Sequence, residues 1–269
     1  MIIAIDIGGT KIRIAYSQVG DRIEDSLEFS TPTSQRIVVK QLIDSIHQLV
    51  GTSPIDAIGI ASPGSINKRK GIIVAPRNVS WHNLKIVKPL QDFFKCPVVL
   101  EHDATAGGIA ESRTGAGKTY KVVLYVTIST GIGTSILVAG EPLPTAHNSE
   151  GGWQIIDHTS QERFAELCSG KAIQRRYGSI AADIHSHTTW KLIASEMAVG
   201  LYNYITIIQP DVVVLGGGVS VHFKRFIKPL QKELAKFDPI YTIPPIKQAR
   251  YVETAPAVGV MMLAAEQLK

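Results

Sequence analysis

One pattern occurs twice in this chain: an apolar segment, a glycine-containing turn with a hydroxyl side chain, and a second apolar segment. The first copy spans residues 2–16 and the second spans residues 122–139. Short apolar runs on both sides of such a turn are typical of β-hairpins. A hairpin that opens each half of the chain predicts two lobes of similar architecture.

Each predicted hairpin is followed by segments with helical and strand patterns. Apolar residues at helical spacing predict helices at residues 35–50, 162–177 and 191–208. Short runs rich in Ile and Val predict buried strands at residues 55–61 and 211–215. Helices that alternate with strands in this way indicate an α/β fold.

Length and composition agree with two folded lobes. The chain has 269 residues, of which 45% are hydrophobic and 19% charged, and no long polar or repetitive tract interrupts it. A domain commonly holds roughly 100–200 residues. We therefore predict an N-terminal α/β lobe at residues 1–115 and a C-terminal α/β lobe at residues 116–255. The last helix, at residues 256–269, is expected to pack back on the first lobe.

The charge distribution argues against nucleic acid as a partner. The formal net charge is +5, but Lys and Arg are dispersed and no basic arm or DNA-binding helix precedes the first strand. The two cysteines, Cys96 and Cys168, exclude a disulfide framework. No signal peptide is recognised, and no apolar run approaches the roughly 20 residues that span a bilayer. A cytoplasmic protein without a membrane partner is expected.

The first turn, Asp6-Ile-Gly-Gly-Thr-Lys11, contains the groups that phosphate binding needs. Glycine lets backbone N–H groups approach phosphate oxygens without a Cβ in the way, and Thr10 and Lys11 add donors. The Rossmann and Walker glycine motifs are absent. A single glycine hairpin is more often an ordinary turn. The second hairpin and a third glycine cluster at Gly216–Gly218 favour a nucleotide site instead.

Three motifs resemble the two phosphate motifs and the adenosine motif of the actin, Hsp70 and hexokinase superfamily. They are Asp6-Ile-Gly-Gly-Thr10, Ser129-Thr-Gly-Ile-Gly133 and Leu215-Gly-Gly-Gly-Val219. Within that superfamily the chain is similar to the ROK family of sugar kinases and sugar-responsive repressors. Four further motifs carry this resemblance: Ala61-Ser-Pro-Gly64, Asn78-x-x-Trp81, Glu101-His-Asp-Ala104 and Ser169-Gly-x-Ala-Ile173.

The resemblance implies a fold and a set of ligands. The fold would be two lobes of the actin-like ATPase (ribonuclease H-like) type with an interlobe cleft. The ligands would be ATP, Mg²⁺ and a sugar substrate, and the family is often dimeric, which allows a homodimer. The implied ATP-binding residues are Asp6, Gly8, Gly9, Thr10, Lys11, Thr130, Gly131, Gly133, Gly216, Gly217 and Gly218.

The resemblance also implies chemical roles for two carboxylates. Asp103 would be the general base that accepts the proton of a sugar hydroxyl, because a neutral hydroxyl is a poor nucleophile. Asp6 would hold Mg²⁺ through a water molecule beside the phosphates. Taken without the family match, Asp103 is more often a helix cap and Asp6 a turn-stabilising residue.

The implied sugar site departs from the family pattern at two positions. His102 stands where the family usually has Asn, and Trp153 stands where it commonly has a His that touches the sugar and ligates zinc. Trp153 cannot ligate a metal and Cys168 lacks neighbouring cysteines, so no zinc is expected. Trp153 either stacks on a sugar face or is a core or lid aromatic. The implied sugar-binding residues are Ser62, Gly64, Asn78, His102, Asp103, Glu150 and Trp153.

Three functions are compatible with these residues. The favoured function is ATP-dependent phosphorylation of a hexose hydroxyl, with glucokinase-type 6-phosphorylation as the first choice, because the phosphate loops and Asp103 are all present. A kinase for an N-acetylated amino sugar or for fructose differs only in the details of the pocket. A non-catalytic sugar-binding regulator of the ROK family is the third, and fold alone does not exclude it.

Overall fold

The structure, a computed structural model, describes residues 1–76, 79, 81–146, 149–237 and 242–269. The strands are β1 (Ile2–Ile7), β2 (Lys11–Ser17), β3 (Asp25–Ser30), β4 (Ala57–Ser62), β5 (Ser65–Asn67), β6 (Ile72–Ala75), β7 (Leu84–Lys85), β8 (Val98–His102), β9 (Val122–Ile128), β10 (Ile132–Val138), β11 (Glu141–Pro142), β12 (Val212–Gly216) and β13 (Ile246–Gln248). The α-helices are α1 (Gln35–Val50), α2 (Val87–Phe94), α3 (Asp103–Arg113), α4 (Phe164–Cys168), α5 (Gly170–Tyr177), α6 (His187–Ile208), α7 (Phe223–Leu234) and α8 (Ala255–Glu266).

Tertiary contacts divide the chain into two compact units. Unit 1 consists of Met1–Ala110 together with Thr254–Lys269, and unit 2 consists of Glu111–Glu253. The chain therefore leaves unit 1 within α3 and returns to it just before α8. Unit 2 is continuous in sequence, whereas unit 1 is assembled from two separate stretches.

Unit 1 is built on a five-stranded sheet with the order β3-β2-β1-β4-β8. Neighbouring strands among β1, β2 and β3 are antiparallel, and β4 and β8 run parallel to β1. Successive side chains of a strand point to opposite faces. Ile3, Ile5 and Ile7 accordingly pack with apolar residues of α1, whereas Ile2 and Ala4 pack with residues of α8. The sheet is thus covered on both faces, which explains why β1 is apolar almost throughout.

The packing of α8 on this sheet depends on two glycines. A Cβ on Gly59 of β4 would lie 2.1 Å from the carbonyl oxygen of Val260, and a Cβ on Gly259 would lie 1.8 Å from that of Ala106. Any larger residue at either position would force the backbones apart. The helix therefore approaches both β4 and α3 at backbone contact distance, and its own side chains are largely buried.

Unit 2 repeats the plan of unit 1. Its sheet has the order β11-β10-β9-β12-β13, with antiparallel pairing among the first three strands and parallel pairing among the last three. Leu124, Val126 and Ile128 of β9 belong to one core with apolar residues of α6 and α7. The duplication predicted from the two hairpins is confirmed, because each hairpin supplies the first two strands of a sheet with the same order and directions.

One predicted helix is divided in two. The sequence pattern predicts a helix at residues 162–177, but α4 ends at Cys168 and α5 begins at Gly170. Ser169 between them is extended, with ψ 161°, and its hydroxyl accepts the N–H of Ala172 at 3.2 Å. Serine often caps helices in this way, and the new N-terminus interrupts the first helix.

Within the described ranges, no helix combines the length and the apolar character that crossing a membrane requires.

Candidate active site

Asp6 is the second-to-last residue of β1 and lies beside the first glycine turn. Its carboxyl group is surrounded by protein, although the residue keeps some contact with solvent. The pKa of Asp6 is raised to about 7, first because burial disfavours the carboxylate and second because of the negative charge of Asp103, while Arg13 and Lys11 act in the opposite direction. Asp6 and Asp103 therefore share one electrostatic site, in which a cation would favour the ionised form of Asp6.

The turn after β1 is held in shape by backbone contacts. The N–H of Gly8 donates to the carbonyl oxygen of Lys11 at 2.9 Å, and a Cβ on Gly8 would lie 2.8 Å from that oxygen. Thr31 braces the turn from outside, since its N–H donates to Thr10 O at 3.0 Å and its hydroxyl donates to Gly8 O at 2.7 Å. Gly9 lies in the same turn, which these hydrogen bonds hold in one backbone shape.

Asp103 is the first residue of α3 and follows β8 directly. One of its carboxylate oxygens, Oδ1, accepts the N–H of Ala104 at 2.6 Å, and 28% of the side chain is exposed. The Nε2 atom of His102 lies 3.5 Å from the same oxygen. The carboxylate is thus held at a helix N-terminus, where negative charge is favoured, and it is accessible to a hydroxyl group.

The residues just before Asp103 are buried polar groups. His102 is 5% exposed, and its Nδ1 finds no hydrogen-bond partner among the described residues. Its backbone N–H donates to Oε1 of Glu101 at 2.8 Å, and Oε2 of the same carboxylate accepts from Lys68 Nζ at 2.5 Å. Glu101 and Lys68 are not among the site residues predicted from the sequence. They lie 33 residues apart, so no sequence motif contains both. The pair fixes the end of β8 from which Asp103 projects.

Other predicted sugar-site residues of unit 1 follow β4. Ser62 is fully buried, ends β4 and stands in register with His102 of β8. Gly64 has a φ of 75°, a left-handed conformation that favours glycine. Asn78 lies outside the described residues. Ser62, Gly64, His102 and Asp103 therefore all lie at the carboxyl ends of β4 and β8.

Glu150 of unit 2 lies in a loop that is fixed by a buried threonine. It immediately precedes a short 3-10 turn, and the N–H of Gly151 donates to Oγ1 of Thr134 at 3.1 Å. The same hydroxyl contacts Oγ of Ser149 at 3.0 Å. A Cβ on Gly151 would lie 1.6 Å from the hydroxyl of Tyr204, so only glycine fits at this position. The loop that carries Glu150 is therefore closely packed against β10 and α6.

Trp153 is not a core residue. Its side chain is 44% exposed, and the guanidinium of Arg163 lies 4.1 Å from the ring centroid, a cation–π contact. Cys168 nearby in sequence is fully buried, and burial raises its pKa well above the usual range, which keeps the thiol protonated. A protonated thiol is a poor zinc ligand.

The turn of the second hairpin contains Thr130 and Gly131, with Gly133 following in β10. The first residue of α5 holds this turn, because the N–H of Gly170 donates to Ser129 O at 2.7 Å. A Cβ on Gly131 would meet no atom within 4 Å, and its φ is not positive. Neither packing nor backbone conformation therefore explains why residue 131 is glycine. The open side of Gly131 leaves room for a ligand to approach the backbone.

The third glycine cluster lies against the same hairpin. Gly216 ends β12, and Gly217 has a φ of 85°, with a Cβ position 2.5 Å from Ile128 O. Gly218 begins a 3-10 turn, and the nearest atom to its Cβ position is a carboxylate oxygen of Glu253 at 3.9 Å. Gly217 is thus required by the fold of unit 2, whereas Gly218, like Gly131, leaves space beside the backbone.

Two charged residues beside Asp6 are not predicted from the sequence. Glu28 of β3 accepts from Lys11 Nζ at 2.9 and 2.8 Å and from Arg13 Nε at 2.8 Å. The hydrogen bond from Lys11 is the largest cause that lowers the pKa of Glu28. Alternation along β2 places Lys11 and Arg13 on one face of the strand. That alternation is the signal in the sequence that could have identified Arg13.

The residues proposed for metal binding suit a hydrated ion. In the described part of the chain, no group of three or more His, Cys, Asp or Glu side chains could hold a metal directly. Magnesium usually keeps several of its waters and binds proteins through one or two carboxylates. Asp6, with the charge of Asp103 close to it, fits that requirement.

Comparison with known proteins gives the family. A family model described as "ROK family" matches residues 2–267. A fructokinase of Pediococcus pentosaceus is 25% identical, and the alignment covers 90% of this chain and 88% of that protein. A ROK family glucokinase from Streptomyces griseus, solved in complex with glucose and AMPPNP, has a TM-score of 0.87 at 22% identity and covers 98% of this chain and 99% of its own.

A ROK family transcriptional regulator, a homolog of the E. coli MLC protein, has a TM-score of 0.83 at 18% identity. That match covers 98% of this chain but 78% of the regulator. The likeness to these solved structures confirms the predicted class, an α/β protein of the actin-like ATPase fold. Because the family model matches nearly every residue, this chain belongs to the ROK family.

Proposed function

We propose that the protein is an ATP-dependent sugar kinase in which Asp103 accepts the proton of the hydroxyl that is phosphorylated. The position of Asp103 carries the proposal. It presents a partly exposed carboxylate at the start of α3, in the same electrostatic site as Asp6. Phosphoryl transfer to an alcohol needs a base within hydrogen-bond reach of the hydroxyl and a charged group that organises the metal and phosphates.

The roles of the two carboxylates follow from their contacts. Oδ1 of Asp103 already accepts the N–H of Ala104, so we assign Oδ2 to the substrate hydroxyl. As the hydroxyl oxygen bonds to the γ-phosphorus, its proton passes to Asp103 and the bond to the ADP oxygen breaks. Asp6 would orient a water of the hydrated Mg²⁺, and the ion, when bound, would offset negative charge on the phosphates.

Neutral and basic groups of both units are proposed to bind ATP. The turn at residues 8–11 offers backbone N–H groups and the Lys11 ammonium, and the turn at residues 129–131 offers N–H groups and the hydroxyl of Thr130. Open space beside Gly131 and Gly218 supports this role, because a phosphate or a nucleoside can approach the backbone there.

Sugar binding is assigned to the polar residues at the carboxyl ends of β4 and β8. Ser62, His102 and Asp103 lie together there, and the buried Nδ1 of His102 needs a partner that a ligand or a trapped water could supply. The family resemblance adds Asn78, Glu150 and Trp153. Glucose, with transfer to its 6-hydroxyl, is the first candidate because the Streptomyces griseus neighbour binds glucose.

Fructose is the second candidate because the Pediococcus pentosaceus relative is a fructokinase, and N-acetylated hexoses are the third.

We further propose that units 1 and 2 correspond to the two lobes predicted from the sequence. Unit 1 would be the lobe at residues 1–115 with 256–269, and unit 2 would be the lobe at residues 116–255.

An ADP-release assay tests the function directly. The purified protein would be incubated with ATP, Mg²⁺ and a panel of glucose, mannose, fructose and N-acetylated hexoses, with Asp103→Asn as the matched control. We expect sugar-dependent ADP release by the wild type with at least one hexose, and a strong loss in the variant. Sugar binding by calorimetry without ADP release from any member of the panel would favour the sugar-binding regulator instead.

A further inference from the structure

One face of α7 carries a lysine at every fourth position. Lys224, Lys228 and Lys232, the lysine row, are all exposed, and residues four apart are neighbours on a helix surface. The other side of α7 packs into unit 2, where Phe226 and Leu230 are buried. The fold therefore uses the apolar side of the helix and does not require the lysine row.

The lysine row differs from the lysines of two other surface helices. Lys40 of α1 pairs with Asp44 at 2.6 Å, and Lys88 of α2 pairs with Asp92 at 2.5 Å. An acid thus follows each of those lysines by four residues, whereas in the lysine row another lysine does. Like charges at this spacing repel each other and destabilise a helix. Within the described part of the chain, no carboxylate pairs with the lysine row.

A groove with largely apolar walls lies beside the lysine row. Its walls come from the end of α7 and from the segment that leads into β13, and they consist of Gln231, Ala235, Ile243, Pro244, Pro245 and Ile246. Gln231 follows Lys228 by three residues and Ala235 follows Lys232 by three, so the lysine row borders the groove. The groove has a volume of about 270 Å³, slightly less than a pocket that encloses a small molecule. It suits a few side chains of a longer ligand.

The charge and the shape together select one kind of ligand. The lysine row favours an acidic partner, and the groove favours apolar side chains that leave water. Nucleic acids and polyphosphates have no aliphatic side chains to place in the groove, and an anionic membrane is too broad to enter it. The same face of a second copy would bring its own lysines, which repel. An extended peptide presents alternate side chains to opposite sides, so it can offer acids to the lysines and apolar groups to the groove.

We infer that the lysine row and the groove beside it dock an acidic segment of a partner protein, which binds in an extended conformation with its apolar side chains in the groove. The inference goes beyond the proposed kinase function and does not depend on it, since neither ATP nor a sugar takes part. Because the lysines are exposed, salt should screen the attraction and weaken the contact.

Fluorescence anisotropy with the intact protein tests this surface. The probes are labelled peptides of about eight residues, roughly the length of a strand, in which glutamate alternates with leucine, glutamate with serine, or lysine with leucine. We expect the glutamate–leucine peptide to bind about tenfold or more tightly than the other two. Its affinity should fall as salt rises from about 0.05 to about 0.3 M.

Two variants and a control locate the binding. Changing all three residues of the lysine row to Glu should weaken binding of the glutamate–leucine peptide about tenfold or more. Ala235→Trp, which fills the groove and keeps the charge, should have a similar effect. The control changes Lys118, Lys191 and Lys269 to Glu, which are exposed lysines elsewhere, and should bind within about twofold of the wild type.

Several results would overturn the inference. These are no binding of the glutamate–leucine peptide up to about 1 mM, equal binding of the glutamate–serine peptide, or equal weakening in the control. Phosphatidylserine vesicles and a single-stranded oligonucleotide are tested in parallel. Binding of either one that needs the lysine row, without peptide binding, would also overturn it, as would a change of oligomeric state in the lysine-row variant. If that variant does not fold, Ala235→Trp decides, because unchanged peptide affinity there contradicts the groove contact.

Discussion

The hairpins β1–β2 and β9–β10 have the same backbone plan but differ in charge. In each of them a pair of opposed isoleucines closes the turn. The next pair along the strands is Asp6 with Arg13 in the first hairpin and Thr127 with Gly133 in the second. The strands β9 and β10 contain no charged residue, whereas β2 alone contains two cations.

This difference indicates how one duplicated fold can divide a reaction between its halves. Both turns offer backbone N–H groups, which bind phosphate whatever the side chains are. The groups proposed to organise a metal and to accept a proton, Asp6 and Asp103, both lie in unit 1 and share one electrostatic site. Unit 2, with its uncharged hairpin, is suited to hold a nucleotide through neutral contacts.

Removing the proposed base of unit 1 is expected to have the largest effect on activity. Asp103→Asn should lower kcat by about 10²–10⁴, the usual contribution of a positioned general base. Folding should be unaffected because the amide oxygen can still accept the N–H of Ala104. Turnover numbers and nucleotide affinity of the purified variant check this. Turnover within about threefold of the wild type would remove Asp103 from the mechanism.

The glycines of the two turns allow a second test of the difference between the two hairpins. Gly8→Ala should lower the free energy of unfolding by about 1–3 kcal/mol, because its Cβ would lie 2.8 Å from Lys11 O. Gly131→Ala should leave stability unchanged, because its Cβ position is open, and should weaken ATP binding about 10-fold if phosphate approaches there. Urea unfolding and calorimetry measure both quantities. Normal ATP affinity in Gly131→Ala would show that the open side faces no ligand.

A smaller effect is expected from the hydroxyl that fixes the Glu150 loop. Thr134→Val keeps the shape but removes the acceptor of the Gly151 N–H, which should lower the free energy of unfolding by about 1 kcal/mol. The Michaelis constant for the sugar should rise if Glu150 binds it. Thr134→Ser is the control, since it keeps the hydroxyl and should resemble the wild type. Identical stability of the Val and Ser variants would contradict the assigned role.

The smallest effect is expected from zinc removal. Trp153 cannot ligate a metal, and the Cys168 thiol is buried and protonated. A zinc-selective chelator, added with excess Mg²⁺, should therefore change neither activity nor the melting temperature. Elemental analysis that finds one zinc per chain would refute this.

The fold could be predicted where the pattern is local. The helix predicted at residues 35–50 matches α1, because its apolar residues recur at helical spacing and bury one face. The break at Ser169 could not be predicted in this way, since the apolar pattern continues across α4 and α5. A single hydroxyl that caps α5 decides it.

The sequence indicates residues of the proposed site where they follow one another in a motif. Arg13 was missed because its relation to Glu28 depends on the pairing register of β2 and β3, and register is set by tertiary packing as well as by the turn. The pair of Lys68 and Glu101 was missed for a related reason, because Lys68 lies in the turn after β5 and Glu101 lies in β8, and only the fold brings them together. A sequence motif contains residues that lie close together in the chain, whereas these ion pairs join residues that only the fold brings together.

The placement of α8 in unit 1 has a consequence for how the chain folds during its synthesis. Unit 2 is contiguous, so all of its strands and helices have been made by residue 253. The contacts of Gly59 with Val260 and of Ala106 with Gly259 can form only after α8 has been synthesised. The unit whose synthesis begins first is therefore the unit that is completed last.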